Sequence, residues 1–97
     1  VINMYIVNLN YQKSLDEVDL LLKAHIDWLK PYIANGTFIA AGRKNPITGG
    51  VFLVKDMPLP EIEQILQNDP FQAVASYDIT QLNVGLTASG FELLKEI

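Results

Sequence analysis

Thr37-Phe38-Ile39-Ala40-Ala41-Gly42-Arg43-Lys44-Asn45-Pro46-Ile47-Thr48-Gly49-Gly50-Val51-Phe52-Leu53-Val54-Lys55 reads as a β-hairpin. Thr37 to Gly42 and Gly50 to Lys55 are runs of β-branched, aromatic and small apolar residues. The intervening Arg43 to Gly49 holds Pro46 and Gly49, residues that turn a chain. The short connection joins the two runs as antiparallel neighbours.

Upstream of the hairpin, Ser14-Leu15-Asp16-Glu17 matches a capping box, in which Ser14 and Glu17 satisfy each other's backbone N–H. The helix that follows carries an apolar stripe at Val18, Leu22, Ile26, Leu29 and Ile33, with Leu21 and Trp28 beside it. Pro31 removes a backbone donor and disfavours helical geometry at Lys30, which predicts a kink or a break. Asn35-Gly36 is a stop signal, since both residues tolerate left-handed backbone. Before this helix, Ile2 to Leu9 is apolar in both alternating sets and reads as a strand, followed by a polar loop at Asn10 to Lys13. Downstream, Met57-Pro58-Leu59-Pro60 leads into a second helix with Leu59, Ile62, Ile65 and Leu66 on one face, and Asn68-Asp69-Pro70 ends it. Phe71 to Ser76 is a short helical or irregular piece, Tyr77 to Val84 a fourth strand, and Leu86 to Ile97 a tail with a short helix.

The order is βαββαβ. That is the ferredoxin-like α+β unit, an antiparallel four-stranded sheet with both helices on one face. Three strands nevertheless look apolar on both faces. A second copy of the chain covering the free face predicts a homodimer, or a higher even oligomer.

The chain has 97 residues, the size of a single domain spanning 1–97. A formal charge of −4, without a basic block, is a poor match for nucleic acid or an anionic membrane surface. No cysteine is present, which removes disulfides, thiolate metal sites and cysteine nucleophiles. No apolar run approaches a membrane span and no basic leader opens the chain, so a cytoplasmic location is expected. Val1-Ile2-Asn3 before Met4 suggests an alternative start or a processing remnant.

The single histidine, His25, lies mid-helix among Val18, Leu22 and Leu29. It reads either as a core-edge histidine bonded to a backbone carbonyl or as a general base or acid. One histidine without cysteine makes no convincing metal site, and no cofactor is expected. Asp69-Pro70-Phe71 reads either as a helix stop with a core plug or as a carboxylate held rigid to orient a histidine. Gly42-Arg43 and Gly49-Gly50 are turn chemistry with a solvated charge, or an anion clamp with Arg43 gripping a carboxylate. Trp28, Tyr32, Phe38, Phe52 and Tyr77 line a flat-ligand pocket or belong to the core and interface.

The chain resembles the YciI-like proteins of the dimeric α/β-barrel group. The resemblance rests on Ala24-His25-Ile26-Asp27-Trp28-Leu29, on Asn35-Gly36 before Phe38-Ile39-Ala40-Ala41-Gly42, on Gly49-Gly50, and on Asp69-Pro70-Phe71 with Tyr77-Asp78-Ile79. These motifs follow in order from Met4 to Val84. The resemblance implies ferredoxin-like subunits whose sheets pair face to face. It also implies a site built on His25 and Asp69. Its relatives include a member linked to chloride elimination from a hydroxylated ring, and the fold's cousins include lactone isomerases and cofactor-free oxygenases. The chain departs from the pattern where many relatives have Gly-Pro after the second strand and this one has Gly42-Arg43-Lys44-Asn45-Pro46. Its longer tail, polar at Asn83, Thr87 and Ser89, is a second departure.

The leading expectation is a small cofactor-free lyase, isomerase or dehydrohalogenase. In it His25, oriented by Asp69, moves a proton on a cyclic or hydroxylated compound bound by Gly42, Arg43, Trp28 and Phe71. The alternative is a non-catalytic small-molecule-binding or regulatory module, and a third reading is a dimerisation partner for another enzyme.

Overall fold

The alternation of Tyr5, Val7 and Leu9 along the first strand sets one face of the sheet. In the computed structural model, which describes residues 3–95, these three side chains are buried. They belong to β1, Asn3–Tyr11. The chain continues through α1 (Leu15–Ala34), β2 (Phe38–Arg43), β3 (Gly49–Lys55), α2 (Leu59–Gln67), a 3₁₀ turn (Pro70–Ala73) and β4 (Ala75–Asn83). The strand order is β2-β3-β1-β4 with every neighbouring pair antiparallel. This is the ferredoxin-like α+β arrangement.

Register explains which side chains share the inner face. Tyr5 lies opposite Val54, Val7 opposite Phe52, and Phe38 opposite Val54. Val18 of α1, Ile62 and Leu66 of α2, and Phe71 of the 3₁₀ turn complete the same buried cluster. Both helices therefore cover one face.

Ser14 caps α1 as a full capping box: its Oγ accepts from the Glu17 N–H and Glu17 Oε2 accepts from the Ser14 N–H, both at 3.3 Å. The expected break at Pro31 does not occur, and α1 runs through it to Ala34. The donor that proline lacks would have served the Asp27 carbonyl, on an exposed stretch of helix where water replaces it. Asn35 remains right-handed and Gly36 alone takes the positive φ, 79°. The buried stripe also sits differently from the expected one. Val18 and His25 form its centre, flanked by Leu21, Leu22, Trp28, Leu29 and Tyr32, while Ile26 and Ile33 are exposed. Two helical turns separate Val18 from His25, so they share a direction that Ile26 misses by one residue's rotation.

Strand limits moved where backbone pairing outweighed polarity. Asn10 and Tyr11, expected in a loop, extend β1 because Asn10 pairs with Gly49 and Ser76, and the Tyr11 N–H donates to Thr48 O at 2.9 Å. β4 starts at Ala75 rather than Tyr77. Gly49 belongs to β3, and a Cβ there would sit 1.8 Å from the Leu9 carbonyl oxygen. That glycine serves sheet packing rather than a ligand.

The outer face carries Ile6, Val51 and Leu53, all half-buried, with Asn8, Asp78 and Thr80 among them. Met4, in phase with Ile6, is buried on this face and Leu82 opposite it is exposed, so the face's apolar residues are interrupted by polar ones rather than forming a continuous layer. The short helix expected in the tail is a 3₁₀ turn at Glu92–Lys95, and Leu86, Phe91 and Leu93 are exposed. The expectations for Val1, Ile2 and the last two residues lie outside the described residues. Among the described residues no helix is long and apolar enough to cross a membrane.

Candidate functional site

The middle of α1 packs against the 3₁₀ turn, and that contact brings the two halves of the site together. Pro70 stops α2, so Asp69 leaves the helix extended (ψ 124°) and caps the 3₁₀ turn through its own side chain. Asp69 Oδ1 accepts from the Phe71 N–H at 2.9 Å and lies 2.6 Å from His25 Nδ1. Asp69 Oδ2 accepts from the Tyr77 hydroxyl, also at 2.6 Å. Asp69 is 2% exposed and His25 7%.

A carboxylate removed from water needs its lone pairs occupied, and three donors occupy these. The backbone N–H of Phe71 can only donate. Paired with an acceptor-only carboxylate, His25 must carry its proton on Nδ1. Nε2 is then the free basic nitrogen, and among the described residues it has no hydrogen-bond partner. Burial pushes the Tyr77 hydroxyl far above the ordinary tyrosine range, and the hydrogen bond to Asp69 and its negative charge add to that. Tyr77 is therefore a neutral donor across the working pH range.

Aromatic rings hold the imidazole in place. Phe71 stacks on it with centroids 3.8 Å apart and planes 5° from parallel. Phe52 lies 5.9 Å away and Trp28 5.8 Å away. With its ring so confined, His25 is one of the residues lining a cavity of about 270 Å³ between α1 and the β2–β3 end of the sheet. Leu22, Ile26 and Leu29 form one wall, and Ala41, Gly42, Arg43 and Gly50 the other. Tyr11, Phe52 and Phe71 complete it.

The structure thus gathers His25, Gly42, Arg43 and Phe71 around one space. Asp69, bonded to the imidazole, is not on the wall, and Trp28 is not either; among the described residues its buried Nε1 has no hydrogen-bond partner. Of the five aromatics considered for a flat-ligand pocket, Phe52 alone lines this cavity. Tyr32, Phe38 and Trp28 pack on one another, Phe38 in the core itself. Arg43 is exposed at the cavity rim, and among the described residues it makes no hydrogen bond or ion pair. No group of three metal-ligating side chains occurs among the described residues.

The sequence did not single out Tyr11, and it offered Tyr77 as a pocket or core aromatic rather than as a partner of Asp69. Tyr11 continues the inward phase Tyr5-Val7-Leu9, and that period would have placed it at the cavity. Tyr77 alternates with Ala75 and Ile79 on the inner side of β4, but its bond to Asp69 depends on where the 3₁₀ turn falls, which no pattern specifies.

The fold has a solved counterpart. A 5-chloro-2-hydroxyhydroquinone dehydrochlorinase from Burkholderia phenoliruptrix AC1100, in complex with 2,5-dihydroxybenzoquinone, superposes with a TM-score of 0.70 over 84% of this chain and 95% of its own, at 16% identity. No curated protein sequence matches the chain. Residues 4–83, which hold both helices, the His25–Asp69 pair and all of the four strands but Asn3, match the YCII-related domain. That span includes the ordered motifs around His25, Gly42, Gly49 and Asp69, and the chain belongs to the YCII-related domain family.

Proposed function

We propose that the protein is a small enzyme that moves a proton on a hydroxylated or carbonyl-bearing ring, with His25 as the base and Asp69 as its orienting partner. The observation that carries this reading is the buried bond from His25 Nδ1 to Asp69, at 2.6 Å, on a histidine that lines the cavity while Asp69 does not. Asp69 satisfies a buried imidazole N–H, and by holding that proton on Nδ1 it also leaves Nε2 as the nitrogen able to accept one.

The cavity chemistry supports a planar substrate. At about 270 Å³ it is small for a ligand pocket, and it suits a single six-membered ring. Phe52 and Phe71 offer ring faces, and Tyr11 and Arg43 are its polar groups. His25 Nε2 takes a proton from a ring hydroxyl or from a carbon beside a carbonyl. The electron pair of the broken bond moves into the ring system and forms an enolate-like anion, and Arg43 at the rim balances its charge. On a chlorinated aromatic ring Nε2 first delivers that proton to the chlorine-bearing carbon, which becomes tetrahedral in the keto tautomer; Nε2 then takes a second hydroxyl proton, and chloride leaves with its bonding pair as a ring double bond forms. Without a halide, Nε2 returns the proton to another ring atom and the net change is isomerisation. The dehydrochlorinase likeness favours the first outcome as the one to test.

Chloride release from 5-chloro-2-hydroxyhydroquinone and deuterium wash-in from heavy water into a panel of hydroxylated rings and cyclic enols provide the test. His25→Ala should abolish both while its circular dichroism and melting curve remain those of a folded protein. Saturable binding of 2,5-dihydroxybenzoquinone with no proton exchange beyond that of His25→Ala would instead identify a non-catalytic ligand-binding module.

A further inference from the structure

We infer that Tyr77 is a positioning residue: its hydroxyl locks the Asp69 carboxylate in the rotation that keeps the His25 proton on Nδ1 and Nε2 free. The inference rests on the proton-transfer reading above and adds a third member to its pair.

Rotation about the terminal torsion of aspartate is broad, because an sp³–sp² bond lacks sharp staggered wells. Asp69 Oδ1 serves two donors, the Phe71 N–H at 2.9 Å and His25 Nδ1 at 2.6 Å. Both lie on one oxygen, so neither alone prevents the other oxygen from swinging. The Tyr77 hydroxyl, 2.6 Å from Oδ2, anchors that second oxygen. Three points held on two oxygens define the plane of the carboxylate, and that plane sets the direction from which the imidazole N–H must approach.

Tyr77 is well placed for a fixed role. It stands on β4, whose backbone is paired along its length with β1, rather than on a loop. Its ring is half-buried, and burial together with Asp69 keeps its hydroxyl protonated. It takes no part in the wall of the His25 cavity. Its outer side faces a different hollow, lined also by Tyr5, Leu59, Glu63 and Ile79. Removing the hydroxyl therefore leaves the substrate's own contacts in place. A residue of this kind acts on the rate of the proton step rather than on binding.

The test is Tyr77→Phe, read in two ways. ¹⁵N-detected NMR of the histidine ring reports which nitrogen carries the proton, and it needs no substrate. The wild type should show the Nδ1–H form and Tyr77→Phe a mixture of both. With a substrate that the wild type turns over, kcat should fall by about 10- to 100-fold while KM stays within about twofold, the range seen when a supporting hydrogen-bond partner is removed. Tyr5→Phe, which deletes a hydroxyl outside the network, should change neither readout. Tyr77→Met serves the same comparison should the phenylalanine variant fail to fold. An unchanged tautomer in a folded Tyr77 variant overturns the inference, whether or not any substrate is turned over. Absence of turnover in the wild type, with the tautomer shifting as stated, overturns the catalytic reading and leaves the positioning intact.

Discussion

Asp69 shows how much one side chain can be asked to do. It ends α2, caps the 3₁₀ turn, and receives His25 and Tyr77, all while 2% exposed. Asp69→Ala leaves three buried donors unpaired, each costing about 1–3 kcal/mol where water cannot reach it. A loss of at least about 2 kcal/mol is expected, measurable as a lower urea midpoint at unchanged slope. Asp69→Asn retains the shape but removes the charge that steadies a protonated imidazole, so kcat should fall by about 10²-fold or more with the fold intact. Tyr77 gives a pH dependence. Its folded-state value is raised above the ordinary tyrosine value of about 10, so its contribution is complete below that pH and is lost as pH climbs above it. Urea midpoints from pH 8 to 11.5 should therefore fall more steeply for the wild type than for Tyr77→Phe, and parallel curves would refute the assignment. His25 and Asp69 were legible in the sequence because each is chemically conspicuous: one is a lone imidazole on an apolar stripe, the other a carboxylate before Pro-Phe. Tyr77 was legible as an aromatic of pocket or core but its bond to Asp69 was not, because a tyrosine on a strand looks the same whether its hydroxyl meets water or a carboxylate.

At the scale of elements, local rules read well where one signal dominated and failed where two competed. The capping box at Ser14, the hairpin around Pro46, and the proline-led start of α2 all involve residues with few alternatives, and they appear where the sequence puts them. Pro31 competes with nineteen other helical positions and loses, since α1 spans 20 residues. It nonetheless leaves a carbonyl without an intrahelical donor. An interior proline costs about 3 kcal/mol, whereas its stiffening of the unfolded chain returns about 1 kcal/mol. Pro31→Ala is thus expected to stabilise the protein by about 1–2 kcal/mol, read as a higher melting temperature; a drop would mean that the ring's packing outweighs the missing bond. Gly49 presents the opposite case. Any Cβ there meets the Leu9 carbonyl oxygen at 1.8 Å, and the atoms nearest to it are all β1 backbone, with no flexible side-chain end among them to yield. Gly49→Ala should destabilise by about 2–4 kcal/mol, toward the top of single-site effects. It should also disturb the cavity, because Gly50 and Leu9 are both part of its wall.

For the whole molecule, the open question is what lies against the outer sheet face. The helices use one face only, and Ile6, Val51 and Leu53 stand together at the centre of the other. Ile6 is directly opposite Leu53 in the β1–β3 register, so two large aliphatic side chains form the middle of the patch. The sequence pattern overstated this surface, because alternation counts apolar residues without showing that Asn8, Asp78 and Thr80 interrupt it. What remains has the form of many self-association surfaces, an apolar centre within a polar rim. A twofold axis through the patch would set Ile6, Val51 and Leu53 against their own copies and leave the polar residues at the edge. We therefore propose a homodimer joined by this face. The His25 cavity lies on the helix side, so each copy would keep its own. Sedimentation at micromolar concentration should give a dimer or an even multiple of it. Leu53→Glu places two like charges against each other at the centre and should yield a folded monomer, since in the isolated chain that position already faces solvent in part. A wild-type protein that sediments as a folded monomer at these concentrations refutes the face-to-face arrangement, and a Leu53→Glu protein that stays dimeric moves the interface elsewhere, with the exposed edge of β4 the next surface to test.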